Sequence, residues 1–269
     1  MNRRFGTLCV SALLVMGLAG CEKFQARTYF KQGNAFYLNE NYRAAIQEYQ
    51  TGLALDPSAK MVWRSVGLAA MAVYRPGDPA TDNLQFARTA VDAFHKYLEA
   101  FPNDEKVKDY LLNILMNAGM YDEALTGLKN QLAANPSDRT PVKGIVAILI
   151  KAKRLDDALD FVEQLGPKAD SASLYTVGVA CWDKSYHDPM IDHDTRARIV
   201  DRGMSALDKA LSLDSNSFET MVYINLLFRE KAKLELDPEK AQEWYAKATE
   251  WQDKAKKLRD EMLKKPKTS

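Results

Sequence analysis

The chain has 269 residues, of which 46% are hydrophobic and 27% charged, and its net charge is +1. This composition excludes an intrinsically disordered chain and a multi-span membrane protein. A near-neutral balance also lacks the basic surplus of a nucleic-acid binder, so no nucleic-acid partner is expected.

The first twenty residues differ from the rest. Arg3 and Arg4 precede a nearly unbroken apolar run from Leu8 to Leu18. That run is too short to span a bilayer, which takes about 20 apolar residues. A positive start, a short apolar run and small residues after it are the pattern of a secretory signal peptide. Leu18-Ala19-Gly20-Cys21 resembles the lipobox of bacterial lipoproteins. The resemblance implies that residues 1–20 are removed, that acyl chains such as palmitate are carried on Cys21, and that residues 21–25 form a short tether. Two or more such chains hold a protein on a membrane at about 0.8 kcal/mol per buried methylene. Glu22, standing where an aspartate favours retention at the inner membrane, favours the outer membrane, with the protein facing the periplasm. The alternative is an ordinary signal peptide followed by a chance cysteine. The mature chain would carry 35 basic and 36 acidic side chains.

Beyond the tether a pattern recurs: a small residue, an apolar residue four later and a proline eight beyond that. It reads Ala45, Tyr49, Pro57, then Ala90, Phe94, Pro102, then Ala124, Leu128, Pro136. A fourth copy keeps Ala158 and Val162, with Pro167 early, and a fifth, weaker one has Gly203, Leu207 and Ser215. The small residues lie 45, 34, 34 and 45 apart. Ala45 and Tyr49 stand at i and i+4, on one helix face. Gly33 offers a second small position on the preceding helix. Pro57 follows a helix end, where its missing N–H costs nothing further.

Thirty-four residues is the tetratricopeptide period. The first copy, with Tyr29, Gly33, Phe36, Ala45, Tyr49, Gly52 and Pro57, is similar to that family, and residues 26–250 follow it with decreasing fidelity. The resemblance implies an all-α fold: a superhelical solenoid of five to six helix hairpins, closed by a C-terminal capping helix. Each hairpin is too small to bury its own apolar face, so stacking supplies the core.

Asn39-Glu40-Asn41 reads as the turn of the first hairpin. Two insertions interrupt the array, near residues 75–82 and 185–194. Asp82 or Thr81 is expected to cap the helix after the first. Cys181 lies in the apolar stretch Val177 to Trp182 and reads as a buried, inert thiol. Phe218 to Leu234 reads as a helix, and Asp237-Pro238 as the start of a long one reaching Leu263. Residues 251–269 form its charged end and tail, whose lysines suit a solvated helix terminus.

Candidate chemistry is sparse. His187, His193, Asp188, Asp192 and Asp194 offer metal donors without helical zinc spacing, and Asp188-Pro189 and Asp194-Thr195 serve equally as turn and cap, so no metal is expected. There is no phosphate loop, nucleophile elbow or His-Glu-x-x-His motif, so neither cofactor nor catalysis is expected. In the family that the repeat resembles, the first helix of each hairpin lines a concave groove. Carried onto this sequence, that pattern selects Phe30, Asn34, Tyr37, Arg64, Leu68, Lys106 and Asn113 for partner binding. The other reading of these positions is packing against neighbouring helices. The carboxylate-gripping subtype needs lysine where Phe30 stands and asparagine where Ser65 stands, so this chain departs from it. The expectation is a lipid-anchored scaffold that binds envelope proteins or peptide segments, as part of a secretion, pilus or outer-membrane assembly system. The alternative is a periplasmic receptor for a small molecule or cell-wall fragment.

Overall fold

The computed structural model describes residues 5–264, with side chains placed from Cys21 onward. The signal segment and the lipobox residues before Cys21 therefore lie outside the described side chains. The described residues form twelve α-helices, one 3₁₀ turn and no strand. The chain divides into two compact units, one ending at Met120 and the other starting at Tyr121.

The N-terminal unit contains α1 (Phe5–Leu38), α2 (Tyr42–Leu55), α3 (Val62–Val73), α4 (Thr81–Ala100) and α5 (Glu105–Asn117). Each helix packs on the next in chain order. The first hairpin closes where Glu40 takes a positive φ of 60°, with Asn41 N–H donating to the Phe36 carbonyl at 2.9 Å. This left-handed closure satisfies carbonyls that a helix end leaves open. The Asn41 side chain then accepts from Ala44 N–H and starts α2.

Glycine sets how closely the helices approach. A Cβ on Gly33 would lie 2.6 Å from the ring of Tyr49, and one on Gly52 would lie 2.3 Å from the ring of Phe30. The two helices of the first hairpin thus exchange rings into reciprocal notches. Gly67 on α3 receives Phe94 from α4 in the same way, at 2.4 Å. Tyr49 and Phe94 are almost fully buried, as are Ala26, Ala45 and Ala90.

The 75–82 stretch is fixed by a residue that its composition does not advertise. Asn83 is buried, accepts from Arg75 N–H at 2.8 Å and donates to the Arg75 and Asp78 carbonyls, both at 2.8 Å. The expected cap is overturned. Neither Thr81 nor Asp82 caps α4, whose N-cap is Ala80 with no side-chain bond. The Asp82 carboxylate accepts instead from Asn83 N–H, one residue along.

The C-terminal unit contains α6 (Tyr121–Ala134), α7 (Thr140–Lys151), α8 (Leu155–Leu165), the 3₁₀ turn Gly166–Lys168, α9 (Ser171–His187), α10 (His193–Leu213), α11 (Phe218–Leu234) and α12 (Pro238–Lys264). Much of the 185–194 stretch extends two helices rather than forming a loop. α9 runs through His187 and α10 starts at His193, so residues 188–192 alone connect them. Asp192 caps α10 by accepting from Thr195 N–H at 2.8 Å.

The weak fifth copy is a well-formed hairpin. A Cβ on Gly178 would lie 2.4 Å from Leu207, and one on Gly203 would lie 2.5 Å from Cys181. Leucine fills the place that tyrosine takes in the first hairpin. Cys181 is fully buried there, and burial pushes its thiol up to about 12. Val200, Leu207, Ile224 and Leu227 form the local core, flanked by Tyr175, Trp182, Tyr223, Phe228 and Trp251. On an outer face, Arg202 of α10 reaches Asp160 at 2.6 Å and Glu163 at 2.8 Å on α8, and Arg198 reaches Asp156 at 2.6 Å.

Candidate partner-binding face of the N-terminal unit

All seven groove candidates fall on α1, α3 and α5 of the N-terminal unit. Their environments separate them into two groups. Phe30 is half-buried with its ring in the Gly52 notch, so much of its surface is spent on packing against α2. Arg64 is also half-buried, and its Nε is buried without a hydrogen-bond partner. Its charge falls on Asp104, whose carboxyl is held below the usual range chiefly by the Tyr97 hydroxyl, with the Val107 N–H and Arg64 assisting. Tyr97 donates to Asp104 at 2.9 Å. Leu68 is half-buried on α3.

Asn34, Lys106 and Asn113 are exposed. The Asn34 carbonyl oxygen accepts from the Tyr49 hydroxyl at 2.8 Å, which fixes the amide and leaves its two N–H donors facing outward. Burial pushes the Tyr49 phenol up, opposed by a hydrogen bond with Ser65 of α3. The Tyr49 hydroxyl therefore ties α2 to α1 beneath this face. The Asn113 oxygen accepts from the Asn117 amide at 2.9 Å. Lys106 stands 5.9 Å above the ring of Tyr110.

Tyr37 meets Tyr42 edge-on at 5.2 Å, and burial raises its phenol, with Tyr42 and then Tyr110 adding to the rise. The sequence pattern passed over Tyr110, although it stands one helical turn after Lys106 and stacks on the buried Phe94 at 6.0 Å. The face combines fixed amide donors, a lysine, an arginine and half-buried aromatics. Such a surface suits hydrogen bonding to an extended backbone with apolar side chains alongside. Among the described residues, no group of three or more His, Cys, Asp or Glu side chains is disposed to hold a metal ion.

The first hairpin supplies the observation that bears on family: helix, tight turn and helix, with Gly33 under Tyr49, buried Ala26 and Ala45, and Pro57 beyond α2. Residues 26–58 match the tetratricopeptide repeat model. The matched segment carries Phe30, Asn34 and Tyr37. Two curated relatives are similar over about half of the chain. The peroxisomal targeting signal receptor of Kluyveromyces lactis is 28% identical over 145 residues, which are 51% of this chain and 24% of that protein. Its counterpart from Eremothecium gossypii is 26% identical over 147 residues, with the same coverage of 51% and 24%. The match thus spans about a quarter of the length of these relatives. Among solved structures, a TPR repeats protein from Bacteroides fragilis is 15% identical with a TM-score of 0.48, covering 75% of this chain and 97% of that one. The MamA protein is 16% identical with a TM-score of 0.42, covering 74% and 94%.

Proposed function

We propose that this chain is a lipid-anchored adaptor of the bacterial cell envelope, facing the periplasm, that holds a protein or peptide segment on the α1–α3–α5 face. One observation carries the reading. A single uninterrupted helix, α1, bears both Cys21 and the face residues Asn34 and Tyr37. At 1.5 Å per residue, Asn34 stands about 20 Å from Cys21 along the axis. A lipid on Cys21 would therefore hold the face close to the bilayer.

The surroundings of Cys21 support an anchor. Cys21 is exposed, and Phe24 is 73% exposed one turn later. Lys23, Arg27 and Lys31 repeat at i, i+4 and i+8, and all are exposed. Such a basic stripe suits anionic lipid. Among the described residues no helix is long and apolar enough to cross a membrane, so in this reading attachment rests on the lipid. The outer membrane is favoured over the inner by Glu22.

Relatives named as targeting signal receptors favour a peptide segment as partner. The role is binding rather than catalysis, in a secretion, pilus or outer-membrane assembly system. Two measurements test it. Wild-type protein should fractionate with the outer membrane, and Cys21→Ser with the soluble periplasm. Crosslinking capture should recover specific envelope proteins, and Lys106→Glu with Asn113→Ala should reduce that recovery. Both side chains are exposed, so the fold should survive. Undiminished recovery would remove the face, and Cys21→Ser remaining membrane-bound would remove the anchor.

A further inference from the structure

The C-terminal unit holds a cleft that the groove reading does not use, and it has a sequence cause. The repeat places proline twelve residues after the small residue in Ala45–Pro57 and Ala124–Pro136, but nine after it in Ala158–Pro167. α6 accordingly has 14 residues and α8 has 11. Gly166 stops α8 with a φ of 53°, a conformation that favours glycine, and Pro167 turns the chain into the 3₁₀ segment. Three residues fewer shorten α8 by about 4.5 Å. The ends of α6 and α8 border one cleft.

The space opened is a cleft of about 450 Å³, within the range of small-ligand sites. Its apolar wall is Leu132, Ala133, Pro136 and Leu165. Its polar rim is Lys129, Arg139, Lys168 and Gln164, with no acidic residue in the lining. Among the described residues, none of the three cations has an ion-pair partner. Elsewhere in this unit, by contrast, Arg154, Arg198 and Arg202 are each matched to carboxylates. The nearest acid in sequence, Asp138, is engaged with Thr140 N–H at 2.9 Å.

We propose that this cleft binds an amphiphilic anion: one acidic head held among Lys129, Arg139 and Lys168, with a short aliphatic body on Leu132, Pro136 and Leu165. Unpaired cations around an apolar floor favour a ligand with both characters over either alone. The head can be the carboxylate of a fatty acid or the phosphate of a lipid fragment. The inference rests on the C-terminal unit alone and stands or falls separately from the adaptor reading.

The test uses the full chain carrying Cys21→Ser, which has no acyl chain of its own. Octanoate and octyl phosphate are titrated calorimetrically, with 1-octanol and acetate as half-ligands. Both anions should bind with Kd below about 1 mM, and the half-ligands at least about tenfold more weakly. The tighter anion identifies the source. Lys129→Gln with Lys168→Gln should weaken octanoate about tenfold, and high salt should weaken it in wild type. Ala133→Phe should fill the floor and abolish binding. Should either variant lose its helical circular dichroism, backbone amide shifts in wild type decide. Octanoate should shift residues 129–139 and 164–168 selectively. Octanol binding as tightly as octanoate, neither anion binding, or octanoate shifts away from these residues would each overturn the proposal.

Discussion

The ring of Tyr49 lies directly over Gly33, so close that a Cβ there would meet two ring carbons at 2.6 Å. Tyr49 is almost fully buried and its hydroxyl is committed to Asn34, so it cannot swing aside. Gly33→Ala should therefore destabilise the chain. Overpacking costs about 1–3 kcal/mol, and the gain in helix propensity returns about 1 kcal/mol. Gly127 is the control: it is helical with nothing within 4 Å of a Cβ, so Gly127→Ala should stabilise by about 0.5–1 kcal/mol. Urea denaturation of the two variants should move in opposite directions.

Asn83 holds the connection between α3 and α4 by three hydrogen bonds, each of 2.8 Å. Asn83→Ala strands the Arg75 N–H and the Asp78 carbonyl, while the Arg75 carbonyl keeps the Asp78 N–H at 3.3 Å, at a cost of about 2 kcal/mol. Asn83→Asp keeps the acceptor but sets a buried carboxylate oxygen against the Arg75 and Asp78 carbonyls, so it should cost at least as much as alanine. Amide exchange should accelerate at Arg75 in Asn83→Ala, which removes its acceptor.

Arg202 joins α8 to α10, with Glu163, Asp160 and Asp156 arrayed along one helix face. Its side chain is 20% exposed, and the surrounding carboxylates raise its pKa. Arg202→Ala should cost about 1 kcal/mol after allowance for solvent screening. Arg202→Lys should recover part of this, because a point charge cannot form the two-pronged contact to Glu163. Thermal denaturation at low and high salt should show the difference shrinking with salt.

His193 touches the Leu234 carbonyl with Nε2 at 2.9 Å, joining the start of α10 to the end of α11. That carbonyl, then Asp194 and Asp192, raise its pKa. A folded-state pKa above the unfolded one means that protonated His193 favours the folded state. The contribution is complete below the ordinary histidine value of about 6.5 and is lost as pH rises through the raised one. Asp104 has the opposite sign. Its depressed pKa contributes stability above the ordinary carboxylate range, lost as pH falls through the lowered value. A proton NMR titration should give His193 a midpoint above 6.5, and His193→Gln should flatten the stability profile on that side. A midpoint at or below 6.5 would count against the arrangement.

Helices were the legible part of this sequence. Phe218–Leu234 lies where its apolar run puts it, and α12 begins at Pro238. The shared face of Ala45 and Tyr49 follows from spacing alone, since i and i+4 positions share a face, whereas the meeting of Tyr49 with Gly33 depends on how α1 packs on α2. Capping was less legible. Thr81 and Asp82 are good cap residues by type, but the Asn83 clamp fixes the backbone before either can act. The fifth hairpin looked weak because its pattern lacks an aromatic, yet Leu207 fills the Gly178 notch as Tyr49 fills that of Gly33. On the candidate face, side-chain type could mark Asn34 and Arg64. It could not show that one is held by a tyrosine on α2 while the other leaves Nε buried and unpartnered. Those relations depend on which neighbouring helix arrives, and spacing within one helix does not carry that information.

The reciprocal notches have a consequence for how such a chain can change. Gly33 with Tyr49 and Gly52 with Phe30 act as two index pins between α1 and α2, as Gly178 with Leu207 and Gly203 with Cys181 do between α9 and α10. Two pins forbid sliding as well as separation, so each hairpin carries its own ruler at its base. The tip beyond the pins is free of that constraint. Seven residues separate Gly33 from Glu40 in the first turn, whereas twelve separate Gly178 from Met190 in the fifth. Extra turns can be grafted onto a tip without shifting the alignment below. Growth at the rim is the variation that this architecture tolerates best.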